Sequence, residues 1–325
     1  MQVFNTIGSI NHYVPRKKTY GPPVKPATPV TINGTPPNTT NATVTYNATT
    51  YRCYLIDTSG NFTIGNVPDG FRINVFAIGG GGAGGSSNYG AGKYPGGGGA
   101  GQIIQETYFI PVTTTITMNI KIGSGGKSIT ESNRIGTQNG GNTTITSTSV
   151  NILSIGGESG AMYRLSNGAA DVLPANNRSG GKSGGSVYVG GLSNLSVDDS
   201  ANYAGAGGGG SSSNGTSTTN NNGGQGGNAI LPNASLGFLQ TKYYGAGGGG
   251  MGIGSGGSGG KGANATDTVG GTGAKNVPAV SYTPPVAPVA KSGSGGGGTI
   301  NGGSLLADGA SGAVLISIDN IYLIP

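Results

Sequence analysis

The sequence predicts an all-β fold, with a β-sandwich or jelly-roll-like scaffold that carries packed polyglycine helices of three residues per turn. Three observations support this prediction. Glycine makes up 70 of the 325 residues, which is roughly three times its ordinary share. Short runs of β-branched and aromatic residues recur along the chain, as expected for strands. Several of these runs end directly in a block of glycines, while only 9% of the residues are charged, which disfavours helix bundles and coiled coils.

The β-rich runs define the predicted strands. They cover residues 43–56, 62–64, 71–78, 102–112, 114–122, 142–148, 150–155, 186–190 and 313–324. Apolar and polar residues alternate in the run 114–122, which indicates a sheet with one buried face. We therefore expect the inner face of the sandwich to contain Ile73, Val75, Phe76, Ile116, Met118, Ile120, Leu153, Val314 and Ile316.

The glycine blocks allow two interpretations. They include GGGGAGG (79–85), GGGGAG (96–101), GAGGGG (205–210 and again 245–250) and GSGGGG (293–298). In the first interpretation they are flexible loops. In the second they are left-handed helices of the polyproline II type, which lack side chains, keep every N–H and can hydrogen-bond laterally. Because several blocks start directly from strands, the packed interpretation is preferred.

The first 42 residues differ from the rest of the chain. They contain seven prolines, which exclude a helix and favour an extended or polyproline II conformation. The sequence therefore predicts an extended, basic, proline-rich arm over 1–42 and a glycine-rich β domain over 43–325, with a disordered tail as the alternative for the first segment. Candidate anchoring residues in the arm are Phe4, Tyr13, Arg16, Lys17, Lys18 and Tyr20.

Residue types that support catalysis are scarce. His12 is the only histidine and Cys53 the only cysteine, so catalytic triads and histidine-based metal sites are excluded. A G-x-G-x-x-G match at 252–257 is expected by chance in so glycine-rich a chain, and no βαβ unit surrounds it. We expect no enzyme activity, no catalytic residues, no cofactor and no metal.

The charge and hydropathy patterns exclude two further classes of partner. The net charge is +6, but residues 1–56 carry five of these charges and the remainder is nearly neutral. A nucleic-acid binder needs a basic face, so no nucleic-acid partner is expected. No stretch approaches the roughly 18 apolar residues of a membrane span, and the first residues lack the apolar core of a signal peptide. We expect no membrane insertion and synthesis in a cytoplasm.

The order of the blocks resembles a known type of domain. NFTIGNVPDGFRINVFAIGGGGAGG (61–85) is followed by GGGGAGQIIQETYFIPVTTTITMNIKIGSGG (96–126), YAGAGGGG (203–210) and SGAVLISI (311–318). This succession resembles the glycine-rich domain of viral and phage fibre proteins. It is also similar to the glycine-rich extracellular region of the anaplastic lymphoma kinase receptor family, where a jelly-roll-like scaffold carries polyglycine helices. That family has several cysteines where this chain has one, which favours the viral branch.

The resemblance implies a function. It implies a virion structural protein, either a fibre or a minor capsid component of a double-stranded DNA virus, assembled in the host cytoplasm and located in the virion. The arm would attach to other virion proteins, the glycine-rich domain would be exposed, and a homo-oligomer is expected. The alternative is a receptor-binding adhesin at a phage tail-fibre tip, with a host surface glycan or protein as partner.

Four loops interrupt the glycine blocks and are the candidate ligand contacts. They cover 86–95, 161–178, 211–222 and 263–292. Loops on a rigid scaffold are the usual place for recognition residues, and tyrosine offers a large amphipathic contact surface. The candidates are Tyr89, Tyr94, Tyr163 and Tyr282. In the alternative interpretation these tyrosines only cover the edges of the glycine stack.

Overall fold

Two five-stranded antiparallel sheets form the scaffold of the computed structural model. It describes residues 23, 25–26, 28–87, 95–131, 134–160, 165–166, 169–170, 181, 183–184, 204–218, 222–252, 255–257, 269–277, 281–300 and 307–324. The first sheet has the order β1 (Thr31–Gly34), β4 (Gly60–Val67), β8 (Thr113–Lys121), β11 (Thr143–Thr146) and β12 (Asn151–Ser154). The second has the order β2 (Thr40–Tyr46), β3 (Thr49–Ile56), β18 (Ala313–Asp319), β5 (Arg72–Ile78) and β7 (Ile103–Phe109).

Shorter elements surround the two sheets. The pairs are β6 (Ser86–Ser87) with β17 (Thr299–Ile300), β9 (Ser128–Glu131) with β10 (Arg134–Thr137), β13 (Leu165–Ser166) with β14 (Ala169–Ala170), and β15 (Lys275–Val277) with β16 (Ser281–Thr283). Short 3-10 helices cover Ala234–Leu236 and Asn320–Tyr322. The all-β sandwich predicted from the sequence is confirmed.

Alternating side chains place the main core between the two sheets. In β8, Ile116, Met118 and Ile120 are buried while the residues between them are exposed. Met118 lies opposite Phe62 of β4 in the antiparallel register. The facing strand β18 contributes Val314 to the same core. The period-two pattern that predicted these strands therefore also determines which side chains meet.

The central strands β5 and β18 of the second sheet are buried on both faces. Its outer face carries Phe76 and Leu315, and Phe238 covers this face with its ring centroid 6.0 Å from that of Phe76. Phe76 was expected on the inner face, and this prediction is wrong because Val75 and Ala77 occupy the inward positions of β5. A strand covered on both sides has apolar residues at every position, so alternation cannot assign its faces.

Leu153 was also expected in the core, and the structure places it outside. In β12, Ile152 and Ser154 are buried, whereas Leu153 is 52% exposed. The register aligns Ile152 with the buried Ile145 of β11, which turns Leu153 to the opposite face.

The boundary of the proline-rich arm needs a correction. Residues 30–42 were assigned to the arm, but Val30 is buried in the core and its N–H donates to the carbonyl of Tyr322 at 2.7 Å. Strands β1 and β2 follow, and the run 43–56 is a hairpin of β2 and β3 that turns at 47–48. The proline-free stretch 30–35 keeps its N–H groups, so it can pair as an edge strand. The predicted strand 186–190 lies outside the described residues.

The glycine runs pack side by side as a hydrogen-bonded body, which we call the glycine lattice. Its segments are 79–85, 96–102, 123–127, 138–142, 155–160, 205–211, 223–228, 245–252, 271–274, 293–299 and 307–312. The alternative of flexible loops is wrong for these segments, because their amides donate laterally to carbonyls of neighbouring segments. The buried backbone groups thereby find the partners that they need.

Every third amide of segment 79–85 donates to the same neighbouring segment. Its amides donate to three neighbouring segments at N···O distances of 2.8–3.1 Å. The first neighbour receives the bonds Gly79–Gln102, Gly82–Gly99 and Gly85–Gly96. The second receives Gly80–Gly141 and Ala83–Gln138, and the third receives Gly81–Ala310 and Gly84–Ala307. This spacing agrees with the predicted helix of three residues per turn, as in the polyproline II family. The polyglycine helix and its left-handed sense stay predictions.

Segment 79–85 has six hydrogen-bonded neighbours in all. Besides the three segments that it donates to, it accepts bonds from segments 123–127, 155–160 and 293–299. Such close packing leaves no room for a side chain at many of the glycine positions. A Cβ atom added to Gly80 would lie much closer than 3.0 Å to the carbonyl oxygen of Ser124. Glycine is therefore required here by the approach of a neighbouring backbone.

Candidate binding surface

An exposed apolar segment runs along the edge of the glycine lattice. We call residues 282–290 (YTPPVAPVA) the apolar strip. Tyr282, Val286 and Val289 are 44%, 60% and 40% exposed. They are three of the eight large hydrophobic side chains that are exposed in the described part of the chain. Exposed apolar side chains are thus concentrated in this strip, and such concentrations mark interaction sites more often than isolated ones do.

Backbone bonds to the lattice hold the strip along its length. The N–H of Thr272 donates to the carbonyl of Val286 at 3.0 Å, and the N–H of Val286 donates to the hydroxyl of Thr272 at 3.0 Å. Further along, the N–H of Val289 donates to the carbonyl of Val269 at 2.9 Å. The strip is therefore bonded to the rigid body and is not a free loop.

Tyr282 fixes the beginning of the strip. It lies in β16, and its hydroxyl is 3.1 Å from the hydroxyl of Thr299 at the end of a glycine segment. Nearly half of the Tyr282 side chain nevertheless remains exposed. Tyr282 therefore lies at the edge of the lattice with part of its surface exposed, and its role as a ligand contact stays a prediction.

Two lysines and one aspartate fix the end of the strip. Lys291 forms an ion pair with Asp57 at 2.6 Å, and Lys242 donates to the carbonyl of Ala290. The ammonium of Lys242 also lies 5.6 Å from the ring centroid of Tyr244. Burial, assisted by the nearby Lys291, lowers the pKa of Lys242 from its ordinary value. Two cations and one anion therefore surround this end.

The remaining site residues predicted from the sequence lie outside the described residues. Among the ligand-contact candidates these are Tyr89, Tyr94 and Tyr163. All of the anchoring candidates, Phe4, Tyr13, Arg16, Lys17, Lys18 and Tyr20, also lie outside them. Sequence reasoning missed Val286 and Val289, although the proline spacing around them was a usable signal for an exposed extended segment.

Two of the reactive side chains among the described residues have a raised pKa. Cys53 is buried on the outer face of the second sheet, and this burial raises the pKa of its thiol to about 11. The hydroxyl of Tyr108 donates to Glu106 at 2.8 Å, and burial together with this carboxylate raises the pKa of Tyr108. In the described ranges no group of three or more His, Cys, Asp or Glu side chains is placed to hold a metal ion.

Fold and surface together define a glycine-rich β-sandwich protein with an exposed apolar strip. Comparison with protein families agrees, since residues 57–319 match the family model described as "Glycine-rich domain". The match covers most of the chain, and the protein therefore belongs to this glycine-rich domain family. No curated protein matches the sequence. Within the part that the structure describes, no helix has the length and apolar character needed to cross a membrane.

Proposed function

We propose that this protein is a non-enzymatic structural component of a virus particle, either a fibre or a minor capsid protein of a double-stranded DNA virus. The observation that carries the proposal is the glycine lattice, in which a segment such as 79–85 is bonded to six neighbours. Together with the resemblance of the block order to viral fibre domains, it favours a body that is built for a fixed shape.

The lattice supports a mechanical role because its segments are stable only together. Glycine loses more conformational entropy on folding than any other residue, and each lateral hydrogen bond returns only about 1 kcal/mol. A lattice of this kind is therefore stable only when many segments bond together. Since most residues of these segments are glycine, few side-chain rotamers are available through which the body could change shape.

The basic residues before the sandwich would provide the attachment. The chain enters the first sheet at Val30, which is fixed by burial and by its bond to Tyr322. Residues 1–22, which include Arg16, Lys17 and Lys18, precede this fixed point and would contact a neighbouring subunit in this proposal. In this proposal the other virion proteins are the partners, and copies of the chain form a homo-oligomer.

Particle composition tests the proposal. Mass spectrometry of purified virions of the virus that encodes the chain should detect it at a fixed ratio to the major capsid protein. A variant without residues 1–22 should fold with an unchanged circular dichroism spectrum and be missing from particles. Absence of the full chain from virions would overturn the proposal, and normal incorporation of the truncated variant would remove the role of the arm.

A receptor-binding adhesin is the second candidate, and the exposure of Tyr282 on a rigid edge favours it. Its ligand would be a host surface glycan or protein. In an attachment assay, the adhesin hypothesis predicts that Tyr282→Ser reduces binding to host cells. Tyr46→Ser is the matched control, because Tyr46 is similarly exposed but lies in β2 of the sandwich. Equal attachment of both variants would reject this candidate.

A further inference from the structure

We infer that the apolar strip is a docking segment for a groove of another protein, lined with aromatic side chains, of the kind that recognises extended proline-containing segments. The inference rests on the proposed function, in which the glycine-rich domain is exposed on the particle. It deepens that proposal by naming the kind of partner that the exposed domain contacts. It is carried by the burial pattern of the strip, its prolines, its hydrogen bonds to the rest of the domain and the charges at its end.

Burial repeats after three residues in the part of the strip from 283 to 290. Pro285 is buried and Pro288 is partly buried, so both face the protein. The two residues that follow each of these prolines are exposed, as are Thr283 and Pro284. A helix with three residues per turn presents such a pattern, with one edge inward and two edges outward. Val286 and Val289 share one outward edge, and Pro284 shares the other with Ala287.

The prolines enforce this extended conformation. The ring of each proline fixes its φ near −65°, and a residue that precedes a proline is driven out of the helical region. Pro284, Pro285 and Pro288 meet the first condition, while Thr283 and Ala287 meet the second. The sequence and the burial pattern therefore agree on a polyproline II-like segment.

The strip is ordered before any partner binds. Its bonds to Thr272 and Val269 and the contact of Tyr282 with Thr299 fix it at three places. A flexible proline-rich peptide would lose conformational entropy on docking, whereas a segment already held in the bound conformation avoids most of this loss. The folded chain should therefore bind a matching groove more tightly than the free peptide.

The hydrogen bonds also disfavour strand addition as the binding mode. The carbonyls of Val286, Val289 and Ala290 already accept bonds from Thr272, Ser292 and Lys242. A partner strand would need these backbone groups, whereas a groove for polyproline II contacts the side-chain edges. Because three residues span about 9 Å in this conformation, the groove needs pockets about 9 Å apart for Val286 and Val289.

The charge at the end of the strip gives the groove an orientation. Lys291 and Lys242 outnumber Asp57 there, and half of the Lys291 side chain is exposed. An acidic rim at the matching end of the groove would complement this excess of positive charge. The partner is therefore expected to combine aromatic walls with one acidic end.

A titration with purified domains tests the inference. The probes are SH3, WW and EVH1 domains, which recognise polyproline II segments through aromatic grooves, each followed by NMR as the unlabelled full chain is added. We expect at least one domain to bind the chain. The double variant V286S/V289S should weaken this binding by about tenfold or more, because it removes both apolar contacts.

Matched controls separate the strip from a general surface effect. V112S is the control, since Val112 is 68% exposed but lies between β7 and β8, and it should bind as the parent chain does. A synthetic peptide of residues 281–291 should bind more weakly than the folded chain. Circular dichroism confirms that each variant is folded before its titration is interpreted.

Three results would overturn the inference. The first is that no domain of the panel binds, and the second is that V286S/V289S binds as well as V112S. The third is that sedimentation shows a self-association of the parent chain that V286S/V289S abolishes, because the strip would then be covered by a second copy. All of these measurements use purified protein, so their failure is distinguishable from absence of the chain from virions.

Discussion

Replacing Gly98 by alanine probes the glycine lattice at a crowded position. A Cβ atom there would lie closer than 3.0 Å to the carbonyl oxygens of both Gly82 and Ala83, so the segments must move apart. The N–H of Gly98 donates to Gly296 at 2.9 Å, and its carbonyl accepts from Gly248 at 2.9 Å. Both bonds lie in the region that has to shift.

The expected cost of Gly98→Ala is about 3 kcal/mol in the free energy of unfolding. Weakening two hydrogen bonds costs about 1 kcal/mol each, and overpacking adds about 1–3 kcal/mol. Against this, alanine reduces the flexibility of the unfolded chain, which restores about 0.4–1 kcal/mol. Denaturant unfolding, followed by circular dichroism and tyrosine fluorescence, measures the difference.

Gly34→Ala is the matched control for this substitution. Gly34 lies in the edge strand β1, where the nearest atoms to an added Cβ belong to Thr63 at 3.8 Å. The free energy of unfolding of the Gly34→Ala variant should stay within about 0.5 kcal/mol of the parent value. If Gly98→Ala costs no more than Gly34→Ala, the segments are not packed as described and the reasoning fails.

Four further substitutions test the sandwich. Phe238→Ala uncovers the ring of Phe76 and should lower the free energy of unfolding by about 3–5 kcal/mol in denaturant unfolding. Leu153 is exposed, so Leu153→Ala should lower it by less than about 1 kcal/mol. Similar losses of stability in both variants would contradict the assigned faces. Ala48 has a φ of 64° in the β2–β3 turn, a conformation that glycine adopts more easily than alanine. Ala48→Gly should therefore raise the free energy of unfolding by about 1 kcal/mol. An unchanged or lower stability would be inconsistent with that turn. The thiol of Cys53, with its pKa raised to about 11, should resist alkylation at pH 8 until the protein unfolds. In the unfolded chain the thiol has a pKa of about 8.5. The stability that the buried, protonated thiol contributes is therefore complete below that pH and is lost as the pH rises towards 11. Cys53→Ala should remove this part of the pH dependence, and an equally steep fall in that variant would reject it.

The sequence was sufficient where one property determined the structure. Alternation in β8 predicted its buried face, because a strand with one solvated side shows the period directly in its residues. The glycine runs predicted close backbone packing because only glycine lacks a Cβ atom that would collide with a neighbouring carbonyl. These features depend on local chemistry, which a single sequence contains.

Other features depended on contacts between distant residues. Phe76 was assigned to the wrong face because its cover, Phe238, lies 162 positions further along the chain. Leu153 and Ile152 are both apolar, and only the pairing of Ile152 with Ile145 decides which of them is buried. The exposure of Val286 likewise depends on its bonds to Thr272. Such pairings are set by the packed structure and not by local preference.

Hydrogen exchange of the glycine amides is the most direct test of the lattice. In native protein at neutral pH, peptides covering segments 79–85, 96–102 and 245–252 should be protected as strongly as β5, because these segments open only when the whole domain unfolds. The exposed turn at 47–48 serves as the fast-exchanging reference. Exchange of the glycine segments at the rate of that turn would show that they are flexible loops, and the account of a rigid lattice would be contradicted.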